Sequence, residues 1–178
     1  MGKITVAMYL SLDGVMENPA WTAPYWNDSI AKFQSDLMYG CDALLLGRVT
    51  YQGFAAAWPK MEGQPGADRM NSLPKFVAST TLDTAEWNAS LIKQNIPEEV
   101  ARLKQQPDQN LLIYGSGELI RTLMQHDLID EYHLMVYPLV LGSGKRLFQE
   151  GVQATLQLLD SKPLDKGVVG LIYAPVRA

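Results

Sequence analysis

Two glycine-led stretches stand out as places where chemistry could occur: Gly47-Arg48, and Gly115-Ser116-Gly117. Each follows a short apolar run and precedes a stretch with helical character, so each reads as a strand-to-helix junction. The first-turn amides of a helix have no intrahelical acceptor, and the macrodipole is positive there. An anion is therefore stabilised at such a junction even on an acidic protein, and a phosphate is the usual guest. Arg48 adds a planar charged fork and Thr50 a hydroxyl beside the first junction. A third junction, Ser79-Thr80-Thr81, brings three hydroxyls that serve equally well as turn caps. If the strands before the two glycine junctions are parallel, both junctions open at their carboxyl ends, where ligands collect in open α/β sheets.

The familiar nucleotide motifs are absent. Gly115 to Ile120 lacks the third glycine of the G-x-G-x-x-G fingerprint, and Gly142-Ser143-Gly144-Lys145 lacks the upstream glycine of a P-loop. Fifteen Lys and Arg against nineteen Asp and Glu leave a net charge of −4, which excludes broad attraction to nucleic acid or acidic lipid. With one cysteine, Cys41, and two histidines, His126 and His133, there is no metal-ligand spacing and no metal is expected. An unpaired Cys41 beside an apolar run reads as a small core residue, as in a reducing, cytoplasmic compartment. No apolar run approaches the ~18 residues of a membrane span, and Met1 to Leu12 reads as a first strand, not a leader.

The elements that must position these residues follow from patterning. A length of 178 residues with 47% apolar content suits a single domain, 1–178, with one sizeable core. Strands are expected at 3–12, 42–46, 75–79, about 88–92, 111–114, 131–137, 154–159 and 168–174. Helices are expected over 25–39, 48–57, from Pro97, and after Gly117. Asn27 or Asp28 is placed to cap the first helix. The stretch 13–24, with Gly14, Asn18, Pro19 and Pro24, reads as a long surface loop, and the breaker-rich stretch 59–74 as a mobile loop. The last three strands have no helix-length pattern between them, so antiparallel neighbours are expected there and a mixed sheet overall.

Three runs carry a resemblance to a known family. Leu44-Leu45-Leu46-Gly47-Arg48-Val49-Thr50-Tyr51, Phe76-Val77-Ala78-Ser79-Thr80-Thr81-Leu82 and Ile113-Tyr114-Gly115-Ser116-Gly117-Glu118-Leu119 resemble, in order, three segments of dihydrofolate reductases. The tail, Asp130-Glu131-Tyr132-His133 and Pro138 to Phe148, is more similar to the reductase domain of bifunctional riboflavin-biosynthesis enzymes, the RibD C-terminal type. The resemblance spans nearly the whole chain. It implies an α/β, three-layer, dihydrofolate-reductase-like fold: a mixed, mostly parallel eight-stranded sheet with antiparallel C-terminal strands and flanking helices.

It also implies NADPH as hydride source and a small heterocyclic substrate, either a pteridine or the ribosylaminopyrimidine of riboflavin biosynthesis. A second reading keeps the cofactor site in an NADP(H)-binding or sensing module without reductase activity. By position, Arg48 and Thr50, with Ser79 and Thr80, would hold the adenosine-side phosphates beside Gly47. Gly115, Ser116 and Gly117 would let the backbone approach the pyrophosphate. Asp28 lies close to the carboxylate that such reductases carry on the first helix, and Asp13, in Ser11-Leu12-Asp13-Gly14, is typical of the riboflavin-type relatives. Either acid could assist proton transfer if burial raised its pKa, although Asp28 also fits a helix cap and Asp13-Gly14 a turn. Glu17 is a further candidate. Trp21, Tyr25 and Trp26 could stack on a flat ring or anchor the helix start, and Lys145 and Arg146 could meet a sugar phosphate or form a solvated turn. Relatives commonly pair through C-terminal strands, which makes a homodimer the expected assembly.

Overall fold

A computed structural model describes residues 1–178. Its centre is one eight-stranded sheet in the order β4-β3-β2-β5-β1-β6-β8-β7. The strands are β1 (Ile4–Leu10), β2 (Ala43–Gly47), β3 (Lys75–Ala78), β4 (Ala89–Ile92), β5 (Leu111–Tyr114), β6 (Glu131–Val136), β7 (Leu156–Pro163) and β8 (Val169–Pro175). The first six positions in the order are parallel, whereas β8 runs antiparallel to β6 and β7 antiparallel to β8. The mixed sheet expected from patterning is thus present, and it is mostly parallel, as the resemblance implies. No helix is long and apolar enough to cross a membrane.

Why the central strands read as unbroken apolar runs is clear from their pleat. In β2 the side chains of Ala43 and Leu45 enter one core and those of Leu44 and Leu46 the other. Ile4, Val6, Met8 and Leu10 of β1 join the first core, and Ala7 the second. Strands covered on both faces need no polar alternation. Each fully buried leucine contributes about 1.5–3 kcal/mol of transfer free energy.

Five α-helices cover the two faces: α1 (Asp28–Gly40), α2 (Arg48–Ala57), α3 (Ala67–Ser72), α4 (Ile96–Gln105) and α5 (Gly117–Gln125). Val100 of α4 and Leu119, Ile120 and Leu123 of α5 pack into the first core, while Met38, Tyr51 and Met70 of α1, α2 and α3 pack into the second. Asn27, and not Asp28, caps α1: its Oδ1 accepts from the Ile30 amide at 3.1 Å.

Three local expectations change. The stretch 59–74 is not an open loop, because a 3-10 turn at Trp58–Met61 leads into α3, which buries Ala67 and Met70 with Leu73 following. A 3-10 helix, Pro19–Tyr25, likewise occupies the segment read as a long surface loop. The seventh strand starts two residues late and continues to Pro163; as the sheet's outer strand it carries mostly exposed residues, which hides its pattern. Lys75 is buried at 1% exposure within β3. Its Nζ donates to the Asn71 carbonyl at 3.1 Å and lies 3.8 Å from the Trp87 ring centroid, and burial pushes its pKa down to about 8.

Candidate active site

Sheet order brings the three junctions together. β3, β2 and β5 are consecutive, parallel neighbours, so their carboxyl ends lie side by side. β2 ends at Gly47 and α2 begins at Arg48; β5 ends at Tyr114 and α5 begins at Gly117. Two hydrogen bonds latch the junctions: the Gly47 amide donates to Ser116 Oγ at 2.8 Å, and the Ser116 amide donates to Thr50 Oγ1 at 3.1 Å. Ser116 Oγ in turn donates to the Tyr114 carbonyl at 2.9 Å.

Backbone geometry makes this close approach possible. Gly115 and Ser116 both have positive φ, 53° and 64°. A Cβ on Gly115 would lie 2.7 Å from Thr50 Oγ1, so only glycine fits between the two helix starts. Neither α2 nor α5 has a side-chain N-cap, which leaves their first-turn amides without a protein acceptor.

A cleft of about 1490 Å³ opens above these junctions. Gly47, Arg48, Thr50, Ser79, Thr80, Gly115, Ser116 and Gly117 all line it. Arg48 is exposed, with Nη1 on Gln52 Oε1 at 3.1 Å one turn further along α2. Ser79 is buried, and its Oγ accepts from the Thr81 and Leu82 amides at 3.2 and 3.1 Å, which is the turn-capping arrangement; Thr80 is exposed at the rim.

Neither carboxylate expected to assist protonation lines the cleft. Asp28 is exposed in the first turn of α1. Asp13 ties the end of β1 to the distant turn after β6: its carboxylate accepts from Ser11 Oγ at 2.6 Å, the Gly142 amide at 2.9 Å and the Leu141 amide at 3.2 Å. The Ser11 hydroxyl foremost, then these two amides, hold its carboxyl down to about 2, in the charged form that accepts and does not donate. Because the folded pKa lies below the ordinary 3.8, these bonds contribute stability above that value, and it is lost as pH falls from 3.8 towards 2. Asp13→Asn is expected to flatten that acid limb in thermal melts recorded at stepped pH; an unchanged limb would remove the brace assignment.

Glu17 does reach the cleft, but its Oε2 accepts from the Lys145 amide at 3.0 Å, and Lys145 Nζ lies 3.7 Å from Glu118 Oε1. Arg146 turns away, donating from Nε to the Asp13 carbonyl at 3.0 Å. Trp21 and Tyr25 meet Tyr137 edge-on, each at 5.5 Å, and anchor the 3-10 helix; Trp26 alone of the three aromatics lines the cleft. Cys41 is buried, its thiol pushed up to about 11 by burial, and His133 pairs with Glu131 at 2.9 Å.

Residues that patterning missed form the opposite wall: Tyr9 of β1, Gln34 and Ser35 of α1, and Tyr114 of β5. A signal existed in α1, where Ala31, Gln34, Ser35 and Met38 recur at helical spacing and all line the cleft. The apolar stripe one step around the same helix, through Ile30 and Phe33, is the one that packs into the core. Gln34 Nε2 donates to Tyr9 Oη, and burial raises the Tyr9 pKa, so the phenol stays protonated.

This sheet order, with glycine-led helix starts around a cleft at the parallel strand ends, is the dihydrofolate-reductase-like architecture. The dihydrofolate reductase of Enterococcus faecalis, solved in complex with NADP(H) and RAB-propyl, matches it with a TM-score of 0.69 at 14% identity, covering 99% of this chain and 98% of that one. The chain belongs to the RibD C-terminal domain family, whose model matches residues 2–170. It is similar to the uncharacterized protein YyaP of Bacillus subtilis (strain 168), at 29% identity over 96% of this chain and 94% of that protein. A Shewanella sp. PV-4 protein described as a riboflavin biosynthesis protein superposes with a TM-score of 0.74 at 23% identity, covering 98% of this chain and 99% of that one.

Proposed function

We propose that residues 1–178 act as one domain that binds NADPH at the α2 and α5 starts and passes hydride to a small heterocycle, a pteridine or ribosylaminopyrimidine. One observation carries this reading: two helix N-termini without side-chain caps open into the same cleft, joined through Ser116 and Thr50. Their amides suit a pyrophosphate, and the close fit around Gly115 leaves backbone where a side chain would block it. NADPH, when bound, supplies the hydride.

The protein's part is placement and proton supply. Arg48 and Thr80 flank the cofactor's phosphorylated end, with Ser79 and Gly47 shaping the turns beneath it. The wall formed by β1 and α1 holds the acceptor ring, and positioning of this kind removes much of the barrier to a bimolecular transfer. With no carboxylate on that wall, the proton comes from water, and the Tyr9 hydroxyl, kept protonated by burial, orients the ring as a hydrogen-bond donor. Asp13 braces the turn that carries Lys145 to the rim, and Asp28 serves the start of α1. A homodimer through the C-terminal strands and a cytoplasmic setting belong to the same reading.

The absence of an acid from the wall formed by β1 and α1 favours a second reading, an NADP(H)-binding or sensing module without turnover. Trp26 and Trp58 line the cleft, so NADPH is expected to quench intrinsic fluorescence saturably. No change at millimolar NADPH would reject both readings. Steady NADPH oxidation with any pteridine, pyrimidine or flavin acceptor selects the reductase.

A further inference from the structure

Three cations, Lys32, Arg48 and Lys145, line the whole cleft. Arg48 belongs to the cofactor end. Lys32 Nζ is bound to Asp36 at 2.7 Å, and Lys145 Nζ lies 3.7 Å from Glu118 Oε1 while its backbone amide donates to Glu17. The start of α1 offers no free anion site either, since Asn27 caps it. Each substrate-side cation is therefore offset by a neighbouring carboxylate, which weakens the attraction this side offers to the charge of a phosphate ester.

The wall itself is uncharged and paired. Tyr9 Oη accepts from Gln34 Nε2, an orientation that turns the Tyr9 proton and Gln34 Oε1 to other partners. Gln34 Oε1 has no protein donor, and no buried side-chain oxygen or nitrogen goes without a partner, so this oxygen is open to solvent in the cleft. One donor and one acceptor side by side match a lactam edge, where a carbonyl adjoins an N–H. A carboxylate on the first helix would instead favour a protonated, amino-substituted ring.

Resting on the reductase reading of this cleft, we propose that Tyr9 and Gln34 select an uncharged lactam-bearing ring without a phosphate ester. This narrows the substrate class to neutral pteridinones, pyrimidinediones and flavin-like rings, and sets aside phosphoribosylated ones.

Two matched ligand pairs test it on the full chain, by titration with and without NADPH: lumazine against 2,4-diaminopteridine, and riboflavin against its 5′-phosphate. Wild type is expected to bind lumazine at least as tightly as the diaminopteridine, and riboflavin at least as tightly as its phosphate. Tyr9→Phe is expected to weaken lumazine about tenfold. Gln34→Glu is expected to weaken lumazine and strengthen the basic diaminopteridine by about tenfold or more. Unchanged NADPH affinity shows each variant's cofactor end intact. The inference is overturned if wild type binds the phosphate or the diaminopteridine tenfold better than its mate, or if Gln34→Glu, binding NADPH normally, leaves ring preference unchanged. Loss of NADPH binding by wild type is a separate result that strikes the reductase reading, and the titrations without cofactor still read the ring preference.

Discussion

Gly115→Val is expected to abolish NADPH binding, lowering affinity by more than about a hundredfold, a loss of over 2.7 kcal/mol. Two effects coincide at this position. The backbone holds φ at 53°, a region where a β-branched residue is strained by about 1–3 kcal/mol. A Cβ would also sit 2.7 Å from Thr50 Oγ1, the oxygen that accepts the Ser116 amide. Relief of that contact separates the starts of α2 and α5, which must converge to hold one pyrophosphate. Gly115→Ala should fall between wild type and valine, because it carries the contact with less strain. Thermal melts and NADPH titrations on the same samples separate stability from binding. A destabilised valine variant that still binds NADPH normally would show that the junction shapes the fold and seats no cofactor.

Arg48→Ala should weaken NADPH about 10–100-fold and leave NADH nearly unchanged, since a hydrogen bond to a charged group contributes about 1.5–3 kcal/mol. The guanidinium is exposed at the cleft and its protein partner is the neutral Gln52, so no carboxylate competes for it. Arg48→Lys should recover part of the difference, because an ammonium keeps the charge and loses the fork. Titrations of both dinucleotides against wild type and the two variants check this. Equal weakening of NADPH and NADH would remove Arg48 from the extra phosphate.

How far the site was legible depends on the range of the interactions that make it. Gly47, Arg48 and Gly115 to Gly117 could be singled out because a strand ending in glycine before a helix is a local pattern. Asn27 against Asp28 was undecided at that level, since both residue types cap helices and the choice rests on the entry angle of the chain. Asp13 misled for a different reason. Its partners Leu141 and Gly142 lie over 120 residues further along the chain, and no local pattern announces that a carboxylate will be consumed by distant amides.

Tyr9 and Gln34 were overlooked because each looks ordinary in its own element. Tyr9 is one aromatic in a strand and Gln34 one amide on a helix, and their meeting requires α1 to pack beside β1 in the interior of the sheet. The α3 segment shows the same limit from the apolar side: its glycines and prolines suggested a loop, yet burial of Met70 and Leu73 organises it.

What the amino-acid order alone determined is the set of strand-glycine-helix junctions and their uncapped amides, because backbone propensity and turn chemistry act over a few residues. Only the tertiary structure decided that β2 lies beside β5 and that β1 brings Tyr9 to the same cleft, because strand order is set by burying both sheet faces at once. That long-range choice, and no local one, determines which polar groups are spent on holding the fold and which are left to meet a ligand.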